Sequence, residues 1–302
     1  MPELPDVVVY MEHLRRRLLG TPLTRARVRS LNLLRTADPP LEAAEGRRVT
    51  SVSRLGKRIV LAMDGGPVHG AASLFLVFHL MIAGRFRWRP ADTAIPGKIG
   101  LAAFDFPAGT LLLTEASSRQ RASLHVLDGE AAVRALDPGG LEPLEATPAT
   151  FRAALRREDH TLKRALTDPR ILSGIGNAYS DEILHRARLS PLRRTPQLDD
   201  AELDRLLEAT RTTLTEWTRR LMEQTGDDFP EKVTAFHDEM AVHGRYRRPC
   251  PACAAPVQRI VYSGRETNYC ARCQTGGRLL ADRALSRLLR DDWPRTLEEM
   301  ET

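Results

Sequence analysis

The spacing of apolar positions changes several times along the chain. Val7, Met11, Leu14 and Leu18 recur at helical spacing behind Pro5 and Asp6, and Gly20 and Pro22 end the run. This predicts an amphipathic helix with Arg15, Arg16 and Arg17 on its other faces. From Leu23 to about Leu127 the period falls towards two. Short apolar runs at 49–52, 59–63, 74–79, 99–106, 111–113 and 124–127 alternate with Gly65-Gly66-Pro67, Pro96-Gly97 and Pro107-Ala108-Gly109. Runs punctuated in this way predict a mostly antiparallel β-sandwich or barrel. Asp137-Pro138-Gly139-Gly140 marks a linker, after which helical spacing returns at 149–156, 161–166, 178–188 and 199–222. The last of these opens on Asp199-Asp200-Ala201-Glu202, a capping-box-like start. Residues 226–232 read as an irregular loop, 236–242 as a short segment, and 281–290 as a closing amphipathic helix. There is no internal repeat and no low-complexity tract.

The 302 residues suffice for one large domain or two modest ones. With 42% hydrophobic and 28% charged residues, the composition excludes collagen-like and wholly disordered classes. The formal charge of +6 makes a polyanionic partner plausible without demonstrating one. The amino terminus has no basic start followed by an apolar stretch, so it does not resemble a secretory signal. The most apolar run, 74–84, is too short to span a bilayer and contains His79. A cytoplasmic monomer with no membrane partner is expected.

Three constellations could carry chemistry. All four cysteines fall in Cys250-x2-Cys253-x16-Cys270-x2-Cys273, where two short pairs and an intervening hairpin can hold one Zn²⁺ in a closed tetrahedron. On spacing alone, a purely structural zinc and a nucleic-acid-contacting finger are equal readings. Arg247, Arg248, Arg259, Arg265 and Arg272 shift the balance towards phosphate contact, with a solvated basic face as the alternative. Ser173-Gly174-Ile175-Gly176-Asn177 lies between helical segments, where a helix start offers unpaired N–H groups to a phosphate. By itself it is more often a plain interhelical turn. Finally, removal of Met1 would leave Pro2 with a secondary amine able to attack an aldehyde-like carbon, and Glu3 beside it could shuttle protons. Chemistry alone favours a simple helix lead-in there, and Lys57, at an expected strand start, reads first as a surface cation.

Taken together and in this order, the features resemble the bacterial formamidopyrimidine-DNA glycosylase and endonuclease VIII family. The matching residues are Pro2-Glu3-Leu4-Pro5, Lys57, the stretch from Leu166-Thr167-Asp168-Pro169 through Gly174-Ile175-Gly176-Asn177-Ala178-Tyr179-Ser180-Asp181-Glu182, and the four cysteines with Arg265 five positions before Cys270. The resemblance implies an α+β fold of two lobes with DNA in the cleft between them. Its parts would be an N-terminal catalytic β-sandwich with its helix (1–130), a helix-two-turn-helix domain (131–245), a zinc finger (246–278) and a helical extension (279–302). It also implies a bifunctional glycosylase/AP lyase acting on damaged double-stranded DNA. Pro2 would attack C1′ and Glu3 would donate and accept protons, with Lys57 and Arg265 completing the catalytic set at neighbouring phosphates. Asn177 and Gly176 would bind DNA. Lys57 would also lower the pKa of the Pro2 amine, since one cation disfavours another.

The chain departs from the family pattern at several places. Asp6 stands where a glutamate is usual. In His79-Leu80-Met81-Ile82-Ala83-Gly84, Ile82 takes the place of the methionine that fills the gap left by an extruded nucleotide. The loop Ser117-Ser118-Arg119-Gln120-Arg121-Ala122 lacks the usual phenylalanine, leaving Arg119 or Arg121 to fill that space or to face solvent. Asp227, Asp228 and Pro230 in the 226–232 loop do not identify a base. Beyond Gly277, Leu279, Leu280, Leu285, Leu288 and Leu289 suggest a helix packed on the finger, with Arg283, Arg287 and Arg290 as a second DNA contact in the alternative. Two other classes stay open: a damage- or structure-specific DNA-binding protein with little turnover, and a zinc-ribbon RNA-binding protein.

Overall fold

Pro5 sits in the first turn of helix α1 (Leu4–Leu18), where its missing N–H costs no hydrogen bond. The helix buries Val7, Tyr10, Leu14 and Leu18 completely, and it ends before Gly20, whose φ of +73° continues no helix. The computed structural model describes residues 1–65, 73–231, 233, 236–262, 265–290 and 294–301. Gly66 and Pro67 of the expected turn, Lys232 of the expected loop and Ser263-Gly264 of the expected hairpin tip lie outside the described residues. The chain divides into two compact units, Met1–Pro138 with Trp217–Thr234, and Gly139–Glu216 with Ala235–Thr302.

Unit 1 is a sandwich, not a barrel. Strands β1 (Arg25–Val28), β2 (Val49–Leu55), β3 (Arg58–Met63), β4 (Leu74–His79), β5 (Gly84–Arg89), β6 (Gly100–Phe106), β7 (Gly109–Glu115) and β8 (Ser123–Asp128) form two four-stranded sheets, ordered β1-β6-β7-β5 and β2-β3-β4-β8. Every pairing is antiparallel. Ile59, Leu61, Leu76, Phe78 and Val126 from one sheet meet Phe86, Phe104, Leu111 and Leu113 from the other in a common core that also takes in helix α1. On the opposite face of β3 and β4, Val60, Phe75 and Val77 pack with Val133 and Leu136, in and just after helix α2 (Gly129–Arg134). Burial on both faces explains why these strands read as continuous apolar runs. Lys57 lies in the Gly56-Lys57 turn of the β2–β3 hairpin and not at a strand start. Gly56 supplies the positive φ, +60°, that a two-residue turn requires.

Unit 2 contains helices α3 (Pro148–Arg156), α4 (Leu162–Thr167), α5 (Asn177–Ala187) and the start of α6 (Asp200–Thr225). The α4–α5 turn is strapped to residues 140–142: Leu141 N–H donates to Ile171 O and Ser173 N–H to Leu141 O, both at 2.9 Å. Gly140 permits this approach, because a Cβ there would lie 2.2 Å from the Pro169 carbonyl oxygen. The expected segment at 236–242 is irregular. Strands β9 (Val257–Tyr262) and β10 (Arg265–Cys270) form the finger hairpin, followed by α7 (Ala271–Thr275), α8 (Arg283–Leu289) and α9 (Leu297–Glu301). The closing helix is therefore shorter than the 281–290 expected. Among the described residues no helix is long and apolar enough to cross a membrane.

Candidate active site

Pro2 and Glu3 are buried at the start of α1, with Glu3 as its N-cap. Asp6, at the third helical position, accepts the Glu3 N–H at 2.8 Å. A capping contact thus sets the direction in which the first residues leave the helix. Burial pushes the Asp6 carboxyl up to about 7. Burial likewise lowers the Met1 amino group from its ordinary value; Glu3 opposes that change, while the positive charges of Arg85 and then Lys57 reinforce it. Both cations thus act on the Met1 amine, Arg85 more than Lys57. Sequence reasoning missed Arg85, because one arginine in Arg85-Phe86-Arg87-Trp88-Arg89 carries no distinguishing signal.

Arg85 follows the tight β4–β5 turn. Met81 adopts a left-handed φ of +53°, Gly84 N–H donates to Leu80 O at 2.9 Å, and Arg85 Nη1 donates to the carbonyls of Gly84 and Ile82 at 2.7 and 3.2 Å. A Cβ on Gly84 would lie 2.3 Å from Leu80 O, so only glycine closes this turn. Its apex exposes Ile82, which is 57% accessible despite being aliphatic. His79 ends β4, and burial lowers its imidazole to about 4, so it is neutral at pH 7 and is a packed strand residue. Arg119 and Arg121 stand on an exposed loop whose return is fixed by buried Glu115, which accepts the N–H groups of Arg121 and Ala122 at 2.8 and 2.9 Å. The loop after α6 is fastened within the same unit. Phe229 lies 5.9 Å from the Tyr10 ring with the Arg17 guanidinium 5.4 Å from its centroid, and Glu231 pairs with Arg89.

In unit 2, Gly176 is the N-cap of α5 and Asn177 its first residue. Asn177 Nδ2 donates to the Glu266 carbonyl at 2.8 Å, so the structure brings Asn177 beside the finger strand that begins with Arg265. Arg265 itself is exposed. Two acids missed as structural groups hold this arrangement together. Asp181 accepts from Lys163 Nζ at 2.5 Å, from Asn268 N–H at 3.0 Å and pairs with His243 Nδ1 at 2.8 Å. Glu182 accepts the consecutive N–H groups of Ala241, Val242 and His243 at 2.7 to 2.9 Å, and burial still raises its carboxyl. Together they fasten α5 to the finger and to the loop before it.

The four cysteine sulfurs lie within 4.8 Å of one another, with Cys250–Cys273 at 3.9 Å and Cys253–Cys270 at 3.4 Å. A Zn²⁺ with sulfur ligands at about 2.3 Å fits such a set, and four ligands leave no open position for catalysis. The group is one structural zinc site. His185 Nε2 stands 3.2 Å from Cys250 Sγ and orients that ligand from α5.

Three family models match successive stretches of the chain. Residues 1–124 match a family model described as the formamidopyrimidine-DNA glycosylase N-terminal domain, 140–225 match its H2TH domain, and 248–276 match a zinc finger found in FPG and IleRS. The chain is 33% identical over 287 residues to the formamidopyrimidine-DNA glycosylase of Heliobacterium modesticaldum, covering 91% of this chain and 100% of the relative. For that of Thermus thermophilus the identity is 34% over 286 residues, covering 92% and 100%. The solved structure of the Thermus thermophilus protein superimposes with a TM-score of 0.74 at 33% identity, covering 90% of this chain and 98% of that one. A Lactococcus lactis Fpg bound to DNA with an abasic site shares the fold, with a TM-score of 0.79 at 23% identity, covering 90% and 99%.

Proposed function

Because the chain belongs to the formamidopyrimidine-DNA glycosylase family, the DNA glycosylases of base excision repair with AP lyase activity, we propose that Pro2 is its nucleophile and Glu3 its proton shuttle. The observation that carries this assignment is the buried Pro2-Glu3 pair held at the start of α1, with Asp6 fixing the Glu3 backbone. Removal of Met1 frees the Pro2 nitrogen. Its lone pair bonds to C1′ of the damaged nucleotide as the glycosidic bond breaks, and Glu3 supplies the proton that the departing base needs. Glu3 then assists ring opening to the iminium. A cation beside an amine disfavours its protonated form, so Arg85 and Lys57 keep more of the Pro2 amine reactive at neutral pH.

Lys57, Asn177, Gly176 and Arg265 bind the phosphates that flank the lesion, and Lys57 and Arg265 neutralise charge as the strand is cleaved by elimination. A stacked base hides C1′, so the nucleotide must be rotated out at a cost of a few kcal/mol, which phosphate contacts offset. Exposed Ile82 is the apolar wedge that takes the vacated space, and Arg119 and Arg121 line the approach. Segments 1–130, 131–245, 246–278 and 279–302 divide this work as catalysis, DNA binding, finger and extension. A repair enzyme works where chromosomal DNA lies, which places it in the cytoplasm at the nucleoid.

Borohydride reduction of a reaction on an abasic-site duplex tests the assignment. Wild type, shown by mass to lack Met1, is expected to form a covalent protein–DNA adduct, while Pro2→Gly loses at least about 100-fold in trapping rate. A wild-type adduct whose peptide map puts the DNA on a residue other than Pro2 rules out Pro2 as the nucleophile.

A further inference from the structure

Residues 279–302 lie beyond the 248–276 matched by the zinc-finger family, yet those described at 279–282 and 295–297 are folded into the finger. Leu279, Leu280 and Leu297 share a core with Val257, Ile260, Tyr269 and Cys270. Arg278 and Thr296 pair as an antiparallel bridge, Leu279 N–H donates to Arg295 O at 2.8 Å, and Leu297 N–H donates to Gly277 O at 3.0 Å. Two further bonds reach the hairpin itself. Tyr269 Oη on β10 accepts the Leu280 N–H at 2.7 Å, and the buried Asp282 carboxylate accepts the Val261 N–H of β9 at 2.9 Å.

The position of that second bond matters. Val261 is the cross-strand partner of Glu266, whose carbonyl accepts Asn177 Nδ2. The outward N–H of one residue and the outward carbonyl of the other are thus both occupied, Val261 by Asp282 and Glu266 by Asn177. The next residue pair, Tyr262 with Arg265, carries the arginine. A two-stranded ribbon is marginal by itself, so its far end keeps a fixed geometry only if something outside the ribbon holds it. We propose that the extension is a positioning element for Arg265. Asp282 completes a two-sided grip on the hairpin, and this fixes the arginine's backbone before phosphate arrives. Holding a cation in place beforehand removes the ordering cost that a mobile hairpin would meet on binding.

The inference rests on the phosphate-binding role proposed for Arg265. Its test is binding of a duplex containing a tetrahydrofuran abasic analogue, followed by fluorescence anisotropy at fixed salt. Full-length wild type, Asp282→Ala, Asp282→Asn, Arg265→Ala and the Asp282→Ala/Arg265→Ala double variant are compared, each checked for one zinc per chain. Asp282→Ala is expected to bind about 5-fold more weakly, whereas Asp282→Asn, which keeps an acceptor oxygen, binds like wild type. In the Arg265→Ala background the Asp282→Ala change is expected to add nothing. If Asp282→Ala falls short of one zinc per chain, Tyr269→Phe, which removes only the acceptor for Leu280, takes its place in the same cycle. Wild-type affinity in Asp282→Ala, or an equal loss with and without Arg265, overturns the proposal while leaving Arg265 as a phosphate ligand. Wild-type affinity in Arg265→Ala overturns that role and this inference with it.

Discussion

Asp6 illustrates how a helix cap becomes a titrating group. In an unfolded chain its carboxyl ionises near 3.8; in the fold, burial moves that to about 7. Between those values the folded protein holds a proton that the unfolded chain has released, so stability falls as pH rises through the window. Asp6→Asn keeps an oxygen to accept the Glu3 N–H and removes the titration. We predict that it gains on wild type by up to about 4 kcal/mol as pH goes from 4 to 8. Thermal unfolding of both proteins across that range checks it, and parallel curves would refute the assignment. The four cysteines were legible in the sequence because metal-binding residue types stand there at an informative spacing, whereas Pro2 and Glu3 stood out only through the family resemblance. Asp181, Glu182 and His243 were not, since their roles arise from bonds between positions some 60 to 90 residues apart. Nothing local distinguishes such an acid from a solvated one.

At the scale of elements, alternation revealed the strands whose core residues are aliphatic, and it failed where the pattern is carried by other types. Strand β1, Arg25-Ala26-Arg27-Val28, offers small apolar groups between arginines. Strand β5 alternates phenylalanine and tryptophan with arginine, and its start is set by the turn before it. That turn also leaves no room for a side chain at Gly84. Gly84→Ala places a methyl group against the Leu80 carbonyl, so the turn must open and Ile82 must move. A loss of about 2 kcal/mol or more in unfolding free energy, read as a lower urea midpoint, is expected, together with slower excision from duplex than from single-stranded substrate. Equal slowing on both substrates would detach Ile82 from duplex opening. The finger hairpin was legible from its two cysteine pairs. The full reach of the extension was not, because Asp282 and Leu297 find the finger through tertiary packing.

Across the whole molecule, each unit carries part of the proposed chemistry, Pro2, Glu3 and Lys57 in one and Gly176, Asn177 and Arg265 in the other. The metal belongs only to the second. Stripping zinc with a chelator should therefore weaken binding to the abasic-analogue duplex by at least about 10-fold, since the hairpin loses the tetrahedron at its base. The sandwich core contains none of the four ligands and should persist. Circular dichroism with anisotropy before and after chelation separates the two effects. Full affinity in the stripped protein would mean that the sulfur cluster is dispensable.

The sheltered position of the first residue sets an order of events during synthesis. Met1 is already part-covered in the fold, and its amine is drawn away from water. An aminopeptidase has its best access while the nascent chain is emerging from the ribosome, before α1 docks on the sandwich. A chain refolded with its initiator methionine in place should resist later trimming by added peptidase, keep its mass, and accumulate as a dormant pool that still grips DNA.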